Sequence, residues 1–142
     1  MSSGYLVDTK VLSEARKGAR AHAGVTAFFA RVDDAALHVS VLTLGEIHQG
    51  VERVRRRDPA AAVAIGRWLR GIERNFADRI VPIDAEIAAT WGGLDARGPL
   101  PAIDGLLAAT AMARGLTLVT RNVRDVRRTG VRLLDPFERS IA

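Results

Sequence analysis

Ile103-Asp104-Gly105-Leu106-Leu107-Ala108-Ala109-Thr110-Ala111-Met112-Ala113-Arg114-Gly115-Leu116-Thr117-Leu118-Val119 is the stretch that decides the fold. From Ile103 to Met112 it is apolar on nearly every side, as expected of a central helix packed against a sheet. Gly115 sits where a helix commonly ends in a left-handed residue. The β-rich run Leu116–Val119 follows at once, so a buried helix feeds a buried strand. Such a unit belongs to a parallel sheet covered on both faces.

The same alternation extends outward in both directions. Tyr5–Val7 is a short β run, followed by Val11, Leu12 and Ala15 at helical spacing. Val25, Phe28, Phe29 and Val32 follow an i, i+3, i+4, i+7 pattern and predict an amphipathic helix. Leu37–Val39 predicts a second strand, and Leu44, Ile47, Val51 and Val54 stripe the helix after it. Asp58-Pro59 opens a further helix with proline in its first turn, buried through Ile65, Trp68, Leu69, Ile72 and Phe76. Ile80–Ile83 predicts a third strand, with a helix carrying Ile87, Trp91 and Leu94 behind it. Gly98-Pro99-Leu100-Pro101 must be a loop, and Val131–Leu134 predicts a fifth strand. The expected architecture is α/β: one domain over residues 1–142, a Rossmann-like parallel sheet of about five strands with helices on both faces.

Composition narrows the chemistry. A chain of 142 residues suits one core. Without cysteine there is no disulfide, thiolate metal site or cysteine nucleophile. No apolar run approaches the ~18–20 residues that span a bilayer, and Met1-Ser2-Ser3-Gly4 does not open a signal peptide. A cytoplasmic protein with no membrane role is expected. The net charge is +5 and is carried almost wholly by arginine. Arginine's planar fork suits phosphate, although a GC-rich genome also favours arginine over lysine.

Against that basic background, four carboxylates stand just beyond apolar runs: Asp8, Glu46, Asp104 and Asp125. In a parallel α/β sheet the carboxyl ends of the strands share one edge, where ligands bind. Each acid also has a plainer structural role. Asp8 suits a helix cap, and Thr43-Leu44-Gly45-Glu46 matches a capping box. Asp104 complements a helix dipole, and Asn122-x-x-Asp125 suits entry to a short turn. Yet Asp104 has core-like neighbours, and Glu46 lies off the apolar stripe, beside Gln49, Gly50 and Arg53. Several carboxylates brought together repel one another unless a cation answers them. Mg²⁺ or Mn²⁺ takes oxygen ligands of this kind and activates water toward a phosphodiester. Asp84 fits a helix start, and Asp33 and Asp34 a solvated pair. His22, His38 and His48 lack metal-ligand spacing. No Gly-x-Gly-x-x-Gly or P-loop lysine motif is present.

Taken together, these segments resemble the PIN-domain ribonucleases, specifically the VapC-like toxins of bacterial toxin–antitoxin pairs. The resemblance rests on Leu6-Val7-Asp8-Thr9-Lys10-Val11-Leu12-Ser13-Glu14, on Ser40-Val41-Leu42-Thr43-Leu44-Gly45-Glu46 with Gly50 downstream, and on Ile103-Asp104-Gly105 through Leu118-Val119-Thr120-Arg121-Asn122. The closing Gly130-Val131-Arg132-Leu133-Leu134-Asp135-Pro136-Phe137 extends it across essentially the whole chain. It implies a Mg²⁺-dependent endoribonuclease acting on transfer RNA or other structured RNA, a homodimer neutralised by a cognate antitoxin. Asp8, Glu46 and Asp104 match the family's three firm acidic positions. Asn122 and Asp125 compete for the fourth, and Thr9 and Thr120 match hydroxyl positions bordering the site. Lys10 departs from the asparagine expected there and is a candidate to pair with Asp8 or Asp104, to compete with a cation, or to contact a substrate phosphate. Arg121, Arg124, Arg127 and Arg128, or alternatively Arg53, Arg55, Arg56 and Arg57, are candidate RNA contacts. The rival expectation is a non-catalytic, partner-binding PIN domain.

Overall fold

The computed structural model describes residues 4–138, so the expected span of 1–142 runs beyond the described residues at both ends. Five strands form one parallel sheet: β1 (Tyr5–Val7), β2 (Leu37–Ser40), β3 (Ile80–Val81), β4 (Thr117–Val119) and β5 (Leu133–Leu134). Their order across the sheet is β3-β2-β1-β4-β5. The expected α/β architecture is the one observed. Strands β2 to β5 differ from the predicted runs by one or two residues at their ends, because apolar flanking residues such as Ile83 and Val131 pack on the core just outside the paired positions.

The period-two alternation of side chains divides the core into two layers. Leu6 and Leu118 face one side, against Ile87 and Leu94 of α5 (Ala85–Arg97) and Leu107, Ala108 and Ala111 of α6 (Ala102–Arg114). Val7, Val39 and Val119 face the other. They meet Val11 and Leu12 of α1 (Thr9–Ala15), Val25 and Phe28 of α2 (Ala23–Arg31), Ile47 of α3 (Val41–Arg55), and Leu69 and Ile72 of α4 (Pro59–Asn75). A short α7 (Val123–Val126) follows β4. Helix α6 is the central helix foreseen, with Gly105, Leu107, Ala108, Ala109, Thr110 and Ala111 all buried. Gly115 ends it at φ 67°, a conformation that favours glycine.

Helix starts follow local capping chemistry. Asp8, Ser40, Asp58 and Asp84 each accept a backbone N–H from the helix they open. Ser40 overturns the capping box read at Thr43–Glu46. β2 ends at Ser40, whose Oγ accepts from the Leu42 backbone N–H at 3.0 Å. The helix therefore begins at Val41 and places Thr43 inside it, fully buried. Glu46 falls in the second turn and is free of any capping duty. No helix among the described residues is long and apolar enough to cross a membrane.

Candidate active site

The strand order fixes where a site can form. From β1 the chain moves to β2 and β3 on one side, then returns to place β4 on the other side of β1. At such a reversal the loops leaving neighbouring strands diverge and open a crevice at their carboxyl ends. Asp8 leaves β1 there, and Thr120 and Asn122 leave β4. Glu46 arrives from α3 and Asp104 from the first turn of α6. A cavity of about 520 Å³ at this point is lined by Asp8, Thr9, Lys10, Glu46, Gln49, Asp104 and Asn122, with Pro101, Ala102, Ile103 and Leu107 as its apolar wall.

Each polar side chain is held by a neighbour. Asp8 is only 7 % exposed. Its Oδ1 accepts the Lys10 backbone N–H at 2.6 Å, and its Oδ2 accepts the Thr120 hydroxyl at 2.5 Å. The Thr120 Oγ1 in turn accepts the Asn122 backbone N–H at 3.1 Å. Thr9 donates its hydroxyl to Glu46 Oε1 at 2.6 Å, joining the first turn of α1 to the second turn of α3. Asn122 Nδ2 donates to Asp104 Oδ2 at 2.8 Å and to Asp125 Oδ2 at 3.0 Å. Asn122 thus ties two acids together and leaves the start of α7 without a side-chain cap. Its side-chain amide engages the acids where the Asn-x-x-Asp reading expects a turn cap.

Charge remains uncompensated in the crevice. Burial pushes the Asp104 carboxyl above the ordinary carboxylate range. The Asn122 amide opposes that rise, the negative charges of Asp8 and Asp125 reinforce it, and the Lys10 charge again lowers it. Lys10 is exposed at the rim. Contrary to the pairing considered for it, its ammonium forms no ion pair within 4.0 Å of a described carboxylate. Asp125 is exposed and stands behind Asn122. Among the described residues no three acidic or imidazole groups are close enough to share an ion in their present rotamers. The threonine and asparagine donors hold the carboxylates on separate partners.

A profile of the PIN domain matches residues 5–131. The chain belongs to the PIN-domain family. This PIN domain is 26% identical over 141 residues to the VapC ribonuclease Y4jK of Sinorhizobium fredii, an alignment covering 94% of this chain and 97% of that one. Among solved structures it resembles FitAcB from Neisseria gonorrhoeae at TM-score 0.83 and 27% identity, covering 94% of this chain and 99% of that one. It also resembles FitAB bound to an IR36 DNA fragment, at TM-score 0.85 and 25% identity, covering 96% and 97% respectively.

The arginines of the PIN domain divide by partner. Arg128 donates to the carbonyl oxygens of Gly98 (3.0 Å) and Pro99 (2.5 Å), closing the exit of α5. Arg121 stacks on Phe137 with its guanidinium 4.6 Å from the ring centroid. Arg124 and Arg127 are exposed. Gln49, outside the acids, hydroxyls and cations that the sequence marks as candidates, also lines the cavity. The signal for it was its place beside Glu46 on the polar side of α3.

Proposed function

We propose that this PIN domain is a metal-dependent endoribonuclease, the VapC-like toxin of a toxin–antitoxin pair. The observation that carries the reading is the convergence of Asp8, Glu46 and Asp104, from three separate elements, on one crevice at the strand ends. The donor chemistry fits a hard cation. Carboxylates and a side-chain amide are the oxygen ligands that Mg²⁺ and Mn²⁺ select, and Asp8, Glu46, Asp104 and Asn122 line one cavity. Asp8, Glu46 and Asp104 would hold the ion.

When bound, Mg²⁺ or Mn²⁺ supplies Lewis acidity toward water and the phosphodiester. The chain's own groups do the positioning. Thr120 and the Lys10 backbone N–H fix both oxygens of Asp8, Thr9 orients Glu46, and Asn122 orients Asp104 while Asp125 adds charge behind it. The Lys10 side chain lines the cavity, and its ammonium would meet an incoming phosphate. Arg121 precedes Asn122, Arg124 lies in α7 and Arg127 directly follows it; these three would hold flanking phosphates. Arg128, committed to the Gly98 and Pro99 carbonyls, serves the scaffold and is withdrawn from that set.

The substrate class is structured RNA, with transfer RNA first, recognised through unpaired bases. The proposal includes a cognate antitoxin that silences the enzyme, a second copy of the chain as partner, and a cytoplasmic setting. The test is incubation of antitoxin-free protein with structured RNA and Mg²⁺, then with chelator, then as Asp8→Asn and Asp104→Asn. Cleavage that needs the metal and both carboxylates is expected. Cleavage surviving both substitutions places the activity elsewhere. No cleavage under any condition favours a non-catalytic, partner-binding PIN domain.

A further inference from the structure

Helix α3 does not end its polar face at Glu46. Residues seven apart on a helix share one face, so Arg53 lies two turns beyond Glu46 on the same side. Gln49 and Arg56 flank that line. Gln49 lines the carboxylate cavity and also a second, shallower concavity of about 420 Å³ that contains Arg53 and Arg56. The two depressions therefore meet at one side chain. From Glu46 to Arg56 the track measures about 15 Å along the helix axis.

The charges along it are unequal in availability. Arg55 is held by Glu52 at 2.7 Å. Arg53 and Arg56 are exposed and make no ion pair with any described carboxylate. With Glu52 already engaged, the concavity keeps two uncompensated guanidinium groups. The Cα–Cβ bonds of a helix tilt toward its N-terminus, the end of α3 that is nearer the carboxylate cavity. A uniform series of anions is what such spacing answers.

We propose that RNA leaving the carboxylate cavity runs along α3, its backbone phosphates held by Arg53 and Arg56 after passing Gln49. The inference rests on the ribonuclease reading and assigns it a direction: the strand crosses the α3 side of the crevice as well as the Arg121–Arg127 side.

The experiment is fluorescence anisotropy of a labelled RNA hairpin with a single-stranded tail, titrated at several salt concentrations. It uses the full chain carrying Asp104→Asn so that the probe stays intact. Adding Arg53→Gln and Arg56→Gln together should weaken binding about tenfold near 0.1 M salt and cut the salt slope by about 1.4, the loss of two single-strand phosphate contacts. Adding Arg55→Gln alone, where Glu52 already holds the charge, should change affinity less than about twofold. In the active background the Arg53/Arg56 pair should raise KM and leave kcat nearly unchanged. An unchanged slope in the double variant, or an equal loss from Arg55→Gln, overturns the track while the ribonuclease reading stands. A parent protein that binds no RNA overturns both.

Discussion

Thr120→Val removes one oxygen and almost no volume, and the site's polar scaffold predicts a large response to it. Thr120 is 3 % exposed, and its hydroxyl donates to Asp8, itself 7 % exposed, at 2.5 Å. Valine keeps the side-chain shape and the backbone N–H bond to the Leu134 carbonyl. What disappears is one charge-assisted hydrogen bond, whose loss costs about 1.5–3 kcal/mol when the acceptor stays buried. The Asn122 backbone N–H also loses its acceptor, but Asn122 is half-buried and water can replace it. We therefore expect about 2–3 kcal/mol of destabilisation in metal-free protein. Unfolding entropy for a chain this size is about 0.3 kcal/mol/K, so Tm should fall by about 7–10 °C. Urea denaturation of Thr120→Val, Asp8→Ala and the double variant measures the coupling. The Thr120→Val cost should shrink by more than about 1 kcal/mol once Asp8 is absent. A cost below about 0.5 kcal/mol, or one of equal size in both backgrounds, would refute the reasoning.

The remaining perturbations probe separate parts of the account. Asp104→Asn should raise the metal-free Tm at pH 7, because the new amide still accepts from Asn122 while the buried charge is gone. The sign follows from a raised folded pKa. The destabilisation is present above that pKa and fades as pH falls through it toward the ordinary carboxylate value, so wild type and variant should converge in acid. A thermal scan from pH 7 to about pH 4 checks this, and a constant difference would sink it. Asp84→Asn should behave oppositely. The Ile87 backbone N–H, together with Arg114, holds the Asp84 carboxyl below its usual range. Its contribution is therefore present at neutral pH and lost as pH falls through the folded pKa, which the same scan reads. Gly24→Ala would set a Cβ 2.0 Å from the Pro136 carbonyl oxygen, a backbone atom with no easy retreat. A loss of about 1–3 kcal/mol in urea denaturation is expected, and wild-type stability would contradict that packing.

Much of this arrangement was legible in the sequence because it depends on local chemistry. The buried α6 followed by Gly115 and β4 announces itself through an apolar run, a left-handed glycine and β-rich residues in series. Asp8, Glu46 and Asp104 stood out as acids at the edges of apolar runs, and the crevice does collect them. What the sequence hides is pairing at a distance. Thr43–Glu46 has the composition of a capping box, and only the end of β2 at Ser40 shows that the cap lies three residues earlier. Nothing local tells that Asn122 reaches back across 18 residues to Asp104, or Thr9 across 37 to Glu46. The arginines were least legible, since a run of like residues has no periodic mark of its partners. Arg128 on two carbonyls and the unpaired Arg53 look alike in a string of letters.

The central claim is that the three acids of the crevice hold a divalent ion. Its most direct test is anomalous diffraction from crystals of the protein soaked in Mn²⁺. A peak is expected about 2.0–2.3 Å from carboxylate oxygens of Asp8 and Asp104, with Glu46 turned from Thr9 toward it. Empty density between those carboxylates at saturating Mn²⁺, or a peak only at other surface acids, would contradict it.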